Sequence, residues 1–494
     1  MPGPPVSRAP DSGPKDRSLD WHFLQCFGER LPDEDVQDAD IISAMEFDAK
    51  GEHLATGDRG GRVVLFEKVP HRRRQNPDRA QSNVPCPSFE FKYLTEFQSH
   101  VPEFDYLKSL EVDEKINKVK WFRSHPNHTR MLLSTNDKTI KLWRVFEKKV
   151  HHMARFNVRD SNDLIGTQVV ENWGPASGDV VNMGKGVMEN IKLRMPEVVR
   201  TEKVLTSQCW RLYANAHAYN INSVSINSDG ETFLSSDDLR IYLWNMEISH
   251  TSFNFVDMKP DNMEELSEVI TSCECHPRHC NIFGYSSSKG LVRLVDMRLS
   301  ALCDGVARVL SAPDRDTNQG VFSEIITSIS DMKFGRDGNS LIVRDYMTLK
   351  VWDLRMEREV VSTFKVHEEL RPKLCELYEN DSIFDKFTCA VSPSGQEILT
   401  GSYGGKFAVF RKDGMEQRLE ASWTPMVPSK RDQNTPVPVR ACVGGFEGGG
   451  MADSVLSKSE LQGKISQLAW HPKENVVAVG ACNSLFLFHS GDRA

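Results

Sequence analysis

The residues best equipped for chemistry lie between Cys273 and Cys280, in Cys273-Glu274-Cys275-His276-Pro277 with Cys280 just beyond. Thiols and an imidazole at short spacing are the raw material of a zinc site, which needs four ligands in tetrahedral reach. Cys273 and Cys275, however, fall on one face of an alternating segment, and that face should be core. His276-Pro277 sits where a second stretch carries His471-Pro472. The expectation is buried cysteines and a turn. Ser, His and Asp are present without the G-x-S-x-G elbow of a hydrolase or a Cys-His signature. Neither G-x-x-x-x-G-K-[ST] nor H-E-x-x-H occurs. The glycines of GDRGGRVV (57–64) and GSYGGK (401–406) precede strand-like residues, so they read as hairpin turns rather than phosphate cradles. The basic tract His71-Arg72-Arg73-Arg74 has no interleaved aromatic residues and reads as a solvated loop.

The carboxylates are the more informative group. Asp33-Glu34-Asp35, Asp38 and Asp40 cluster early in the chain. Asp237-Asp238 occupies a tight turn, and Glu264-Glu265 follows Asn262-Met263. If the fold brings these turns to one face, their charges pool into a surface that attracts Lys- and Arg-rich segments. Spacing alone leaves ordinary solvated charge as the other reading.

The elements that would position them repeat. From Asn215 to Glu247 the chain reads NAHAYNINSVSINSDGETFLSSDDLRIYLWNME. An early His is followed by period-2 segments separated by turns, and a strand ends in Leu243-Trp244. This is the pattern of one four-stranded propeller blade. Six other stretches align on it: Ile41–Glu67, Ile116–Val145, Val269–Arg298, Ile325–Arg355, Phe384–Lys412 and Ile465–His489. Their closing strands read VVLF, IKLW, IYLW, VRLV, LKVW, FAVF and LFLF in chain order. No copy can bury both faces of its sheet alone, so the copies must stack, and radial stacking of small sheets gives a propeller. The expected fold is all-β, a seven-bladed WD-repeat β-propeller over residues 20–494. Trp21–Phe27 is an orphan strand, expected to close the ring as the outer strand of the last blade.

Residues 1–19 are rich in Pro, Gly and Ser and read as a disordered tail. Long inserts separate some copies, at 68–115, 146–214 and 413–464. Within them, Pro85–His100 alternates aromatics and reads as a strand, 146–214 reads as a hairpin arm, and the middle of 413–451 reads as flexible. The 494 residues hold 61 basic and 69 acidic side chains, a net charge of −8. That balance argues against nucleic acid as a partner. No apolar run approaches the ~20 residues of a membrane span. The opening residues lack the apolar core of a secretory leader, so a cytoplasmic location with reduced cysteines is expected, the nucleus remaining open.

Longer motifs carry a resemblance. LATGDRGGRVVLFE, FQSHVPEFDYLKSLE, LLSTNDKTIKLW, YNINSVSINSDGETFLSSDDLRIYLWNMEI, NMEELSEVIT, YSSSKGLVRLVDMR and LYENDSIFDKF all resemble the B-family WD-repeat regulatory subunit of protein phosphatase 2A. Together with shorter matches they run from Asp38 to Val479. The resemblance implies a non-catalytic subunit without cofactor or metal. It implies assembly with a helical-repeat scaffold subunit and a Ser/Thr phosphatase catalytic subunit, directing the holoenzyme's location and selecting phosphoproteins with basic segments. The positions matching the family's substrate surface are Asp237, Asp238 and Leu266, with Glu264 and Glu265 beside them, and Phe104, Lys108, Tyr219, Asp381 and Lys386. Asn220 stands where the family often has His. Against this reading stand a general propeller scaffold, such as a ubiquitin-ligase substrate receptor or chromatin adaptor, and a propeller enzyme. Co-purifying partners and turnover by the isolated chain discriminate the three.

Overall fold

The computed structural model describes residues 21–28, 36–70, 88–106, 109–122, 129–154, 197–303, 305, 307–311, 322–356, 359–421 and 463–490. The tail 1–19, Asp33-Glu34-Asp35, the tract 71–74, Lys108 and most of 413–464 lie outside them. The chain divides into two compact units, one of residues 1–144 and 208–494, the other of residues 145–207.

The larger unit contains seven four-stranded sheets. In blade 3 the strands are Ser223–Ile226, Thr232–Ser236, Arg240–Asn245 and Ser252–Asp257, hydrogen-bonded in chain order. Blades 1, 4, 5 and 6 repeat that order from innermost strands Ile42–Phe47, Ile270–Cys275, Ile329–Phe334 and Cys389–Val391. Blade 2 begins at Lys118–Trp121, and blade 7 at Gln467–Trp470. Each innermost strand packs against the next around the circle, and that of blade 7 packs against that of blade 1. The ring is therefore a closed seven-bladed propeller.

Alternation along the strands explains the packing. Phe233 and Trp244 face each other from adjacent strands of blade 3 and join Tyr213, Ile221 and Leu142 in one buried cluster. Cys273 and Cys275 are buried with Phe283, Tyr285 and Val256 in the next cluster. The seven aligned strand ends are the third strands. The fourth strands lie outside the aligned stretches, and Phe89–Gln98 falls on the strand expected over 85–100. Trp21–Phe27 pairs antiparallel with Ser484–Ser490, completing blade 7 from the opposite end of the chain.

Polar side chains stitch neighbouring blades near the axis. Glu46 accepts the Trp121 amide (2.7 Å) and pairs with Lys120 (2.6 Å). Glu274 accepts the Phe334 amide (3.2 Å), and Asp331 the Cys389 amide (2.9 Å). The two His-Pro sequences are inter-blade locks. His276 Nδ1 accepts the amides of Arg278 and His279, leaving Nε2 to donate to Gly338 O at 2.8 Å. His471 does the same across the ring closure, onto Gly51 O.

In the smaller unit, neighbouring strand segments 145–154 and 197–207 carry cross-strand pairs Glu147–Lys203 (3.0 Å) and His151–Thr201 (3.0 Å). The larger unit also holds two short helices, Ser323–Thr327 and Leu374–Glu379, which were not expected from sequence.

Candidate functional site

One end of the ring gathers the turns between second and third strands and the segments that enter each innermost strand. A repeated backbone bond joins them from blade to blade. The amide of Ile116 reaches Asp58 O (3.0 Å), Ile221 reaches Asp137 O (2.9 Å), Ile270 reaches Asp238 O (2.7 Å) and Ile465 reaches Ser402 O (2.9 Å). Asp238 is thereby pinned against the connection that carries Glu264, Glu265 and Leu266.

The two adjacent carboxylates part company. Asp237 is 0% exposed. One of its oxygens accepts the amides of Leu239 (2.9 Å) and Arg240 (2.8 Å); the other accepts His217 Nδ1 (2.9 Å). The remaining His217 nitrogen accepts from Ser235 Oγ at 2.6 Å, and that oxygen accepts Trp244 Nε1 at 2.9 Å. Burial pushes the Asp237 carboxyl up, but the His217 bond and the two amides more than offset this and hold it below the usual carboxylate range. The expectation of a solvent-facing Asp237-Asp238 pair is therefore corrected. Asp237 is an internal strut of blade 3, because a β-turn of this form needs a side-chain acceptor for its amides.

Asp238 is half-buried, and burial is the largest influence on its carboxyl, raising it. Lys386 and Lys138 pull it down, Asp237 pushes it up and an Asn222 hydrogen bond pulls it down; the net shift is upward. The charged form is under-compensated. An arriving cation would relieve that cost.

The other expected positions fall as follows. Glu264 and Glu265 are exposed on a single 3-10 turn, Met263–Glu265, capped by Asn262 Oδ1, and Leu266 follows half-buried. Phe104 is 46% exposed on the small hairpin Glu103–Asp105/Leu110–Val112, edge-on to Tyr106. Tyr219 is half-buried just before blade 3, and Asn220 beside it is exposed. Asp381 and Lys386 are exposed on the connection into blade 6, where Asp381 ends the helix in a left-handed conformation (φ 57°). Asp238 and Lys386 are brought into electrostatic reach, and Glu265 and Leu266 share one cavity wall. Asp38 and Asp40 are neutralised at this end by Arg59 (2.5 Å) and Arg62 (2.5 Å).

Residues 208–245 match the family described as WD domain, G-beta repeat. The chain is 49% identical to the 55 kDa regulatory subunit, B beta isoform, of protein phosphatase 2A from Arabidopsis thaliana, over 98% of this chain and 99% of that one. The chain belongs to the 55 kDa, B-type regulatory subunits of protein phosphatase 2A. The corresponding regulatory subunit of Schizosaccharomyces pombe is 44% identical, over 95% of this chain and 98% of its own. The 55 kDa regulatory subunit of Drosophila melanogaster is 47% identical, over 95% and 86%. Among solved structures, Chaetomium thermophilum Raptor matches at a TM-score of 0.50 and 14% identity, over 96% of this chain. The match spans 30% of Raptor and shows the propeller fold alone. A subunit of this family is a regulator, not the catalyst.

Within this regulatory subunit, sequence reasoning missed Lys138 and Asn222, the neighbours of Asp238. A signal existed: Lys138 follows Asn136-Asp137, the turn of blade 2 that aligns with Asp237-Asp238. A scaffold for the loop bearing Asp381 and Lys386 was also missed. Tyr346 and Tyr403 share a hydroxyl hydrogen bond (3.1 Å), Tyr403 reaches Asp385 (3.1 Å), and Asp385 pairs with Lys464. Asp48, Glu52 and His53 lie close enough to ligate a metal together. Their atoms are already engaged: Asp48 accepts the amides of Glu52 (2.7 Å) and His53 (3.1 Å), and His53 Nε2 accepts Arg130 Nε at 2.7 Å. A guanidinium at that nitrogen makes the trio a structural turn.

Proposed function

We propose that this chain selects substrates for a protein phosphatase 2A holoenzyme and directs its location, through the ring face around Asp238. In this reading it assembles with a helical-repeat scaffold subunit and the catalytic subunit, and acts in the cytoplasm. It presents phosphoproteins whose basic segments lie on Asp238, Glu264, Glu265 and Leu266, with Phe104, Tyr219, Asp381 and Lys386 as further contacts. The observation that carries it is Asp238 itself: a half-buried carboxylate whose charge is left under-compensated at the end of the ring. Such a group gains more from a substrate Lys or Arg than a fully hydrated one does. Its neighbour Asp237 is excluded from this role by its internal bonds.

Expression of the tagged full chain in cells, with capture and identification of the bound proteins, tests assembly. Recovery of scaffold and catalytic subunits in equal amount supports the reading. Recovery of ubiquitin-ligase components without a phosphatase would favour the adaptor alternative.

A further inference from the structure

Lys118 opens the innermost strand of blade 2, at the end of the ring that carries Asp238. Its ammonium feels the attraction of Asp331 and the repulsion of Lys333, both on the innermost strand of blade 5. Groups on opposite sides of the ring meet only across the axial channel, so the Lys118 side chain reaches into it. Lys386, on the connection into blade 6, repels Lys118 and also Lys115, which precedes the blade 2 strand. The three lysines therefore converge at the mouth of the channel. Lys118 is half-buried there, and Lys115 and Lys386 are exposed. At the far end Arg336 Nη1 donates to Pro472 O, from the turn of blade 5 to that of blade 7 past blade 6, so a cation bridges that end as well.

Among the described residues, the ammonium groups of Lys115, Lys118 and Lys386 form no ion pair and no hydrogen bond. The carboxylates of the channel are already engaged. Asp331 accepts the Cys389 amide at 2.9 Å and pairs with Lys333 at 3.3 Å. Glu46 holds Lys120 at 2.6 Å, and Asp137 accepts Asn117 Nδ2 at 2.7 Å. Burial is the largest influence on Lys118; Asp331 pulls its ammonium up, Lys333, Lys120 and Lys386 push it down, and it comes to about 8. Burial and then Arg59 push Lys115 down too, against the pull of Asp137 and Asp113. The fold thus holds neighbouring cations together without a bonded counter-charge, a cost that a bound anion relieves.

We propose that the mouth of the axial channel binds a small oxyanion of the phosphate class, held by the ammonium groups of Lys118, Lys115 and Lys386. Each ammonium offers three donors on a flexible stem, and a tetrahedral oxyanion offers acceptors on every side. The site does not depend on substrate selection at Asp238, although Lys386 lies in electrostatic reach of both. Free phosphate and a phosphoryl group on a peptide present the same chemistry to it.

The test uses the full chain and inorganic phosphate, with potassium chloride at matched ionic strength as control. Calorimetric titration should show saturable binding, and phosphate should raise the melting temperature above the chloride control. Lys118→Met keeps the aliphatic stem and removes the charge. It should bind phosphate about tenfold more weakly, whereas Lys118→Arg should stay within about threefold of wild type. Without phosphate, Lys118→Met should melt at or above wild type, because it removes an uncompensated cation. A lower melt would show that Lys118 has its partner within the fold, and overturns the site. So does an absence of saturable binding, or binding unchanged in Lys118→Met. A fluorescein-labelled phosphothreonine peptide without lysine or arginine separates the two sources. Peptide binding that phosphate displaces and Lys118→Met loses supports a site for a phosphorylated chain. Phosphate binding with no peptide binding supports a site for the free ion.

Discussion

His471 donates through Nε2 to the carbonyl oxygen of Gly51 at 2.9 Å, across 420 residues of sequence. The bond sits where blade 7 meets blade 1, and Lys68–Glu474 (2.5 Å) crosses the same seam. Gly51 is left-handed (φ +77°), and a Cβ there would lie 2.0 Å from His471 Nε2. Gly51→Ala therefore combines left-handed strain, a clash and a lost hydrogen bond, and should cost about 2–4 kcal/mol. Gly230 has a similar φ (+72°) with open space around it, so Gly230→Ala should cost only about 1–2 kcal/mol. Denaturant unfolding of the two variants measures the difference, and equal costs would show that the seam contributes nothing.

The two neighbouring aspartates should respond oppositely to removal of charge. Asp237→Asn leaves His217 and two turn amides with a weaker acceptor in a fully buried site, and should destabilise by about 1–3 kcal/mol. Asp238→Asn removes a carboxylate whose ionisation the fold disfavours. A raised folded-state pKa means that deprotonation costs stability, and the cost appears as pH rises through the ordinary Asp range toward the raised value. Asp238→Asn should thus melt slightly above wild type at pH 7 and lose that advantage at pH 3. A lower melting temperature at pH 7 would contradict the burial argument.

Substrate binding should follow the same carboxyl. An Asp238 that titrates above the usual range loses its charge as pH falls through a window higher than that of an exposed aspartate. Affinity for a basic peptide should decline over that window in wild type, and the decline should flatten in Asp238→Asn. Parallel pH profiles for the two proteins would assign the titration elsewhere.

The compact unit of residues 145–207 offers a separable test of assembly. Inserts longer than ring closure needs are the natural place for a large interface. Deletion of Phe146–Gln208 should abolish capture of the scaffold subunit while the propeller keeps a cooperative melt. Retained capture would place the docking surface on the blades.

Much of the fold was legible in the sequence because strand alternation and turn residues recur in seven copies, and because Trp21–Phe27 had no partner nearby. The fourth strands were harder to see. Arg308–Leu310 spans three residues, too short for an alternation to register. The helix Leu374–Glu379 was missed although Leu370, Leu374 and Leu377 repeat at helical spacing and pack under Tyr346 and Tyr403. At the site, Asp237 misled because adjacent carboxylates look alike in sequence. The aligned turns held the correction. Asn136 accepts the amides of Lys138 and Thr139, and Asp345 those of Met347 and Thr348, as Asp237 accepts those of Leu239 and Arg240. A side chain that recurs at one turn position to cap amides is architecture. Asp238, one residue on, aligns with Asp137, which accepts Asn117 Nδ2 at 2.7 Å as Asp238 accepts Asn222, so the two differ in net environment rather than in local bonding.

The central claim is that Asp238 selects basic substrates without holding the protein together. Asp238→Lys, reconstituted with scaffold and catalytic subunits, tests it most directly when trimer assembly and dephosphorylation of a basic phosphoprotein are measured side by side. The account requires normal assembly and dephosphorylation at limiting substrate reduced roughly 30-fold or more, at ~1.4 kcal/mol per tenfold. Dephosphorylation at the wild-type rate, or loss of assembly together with activity, would contradict it.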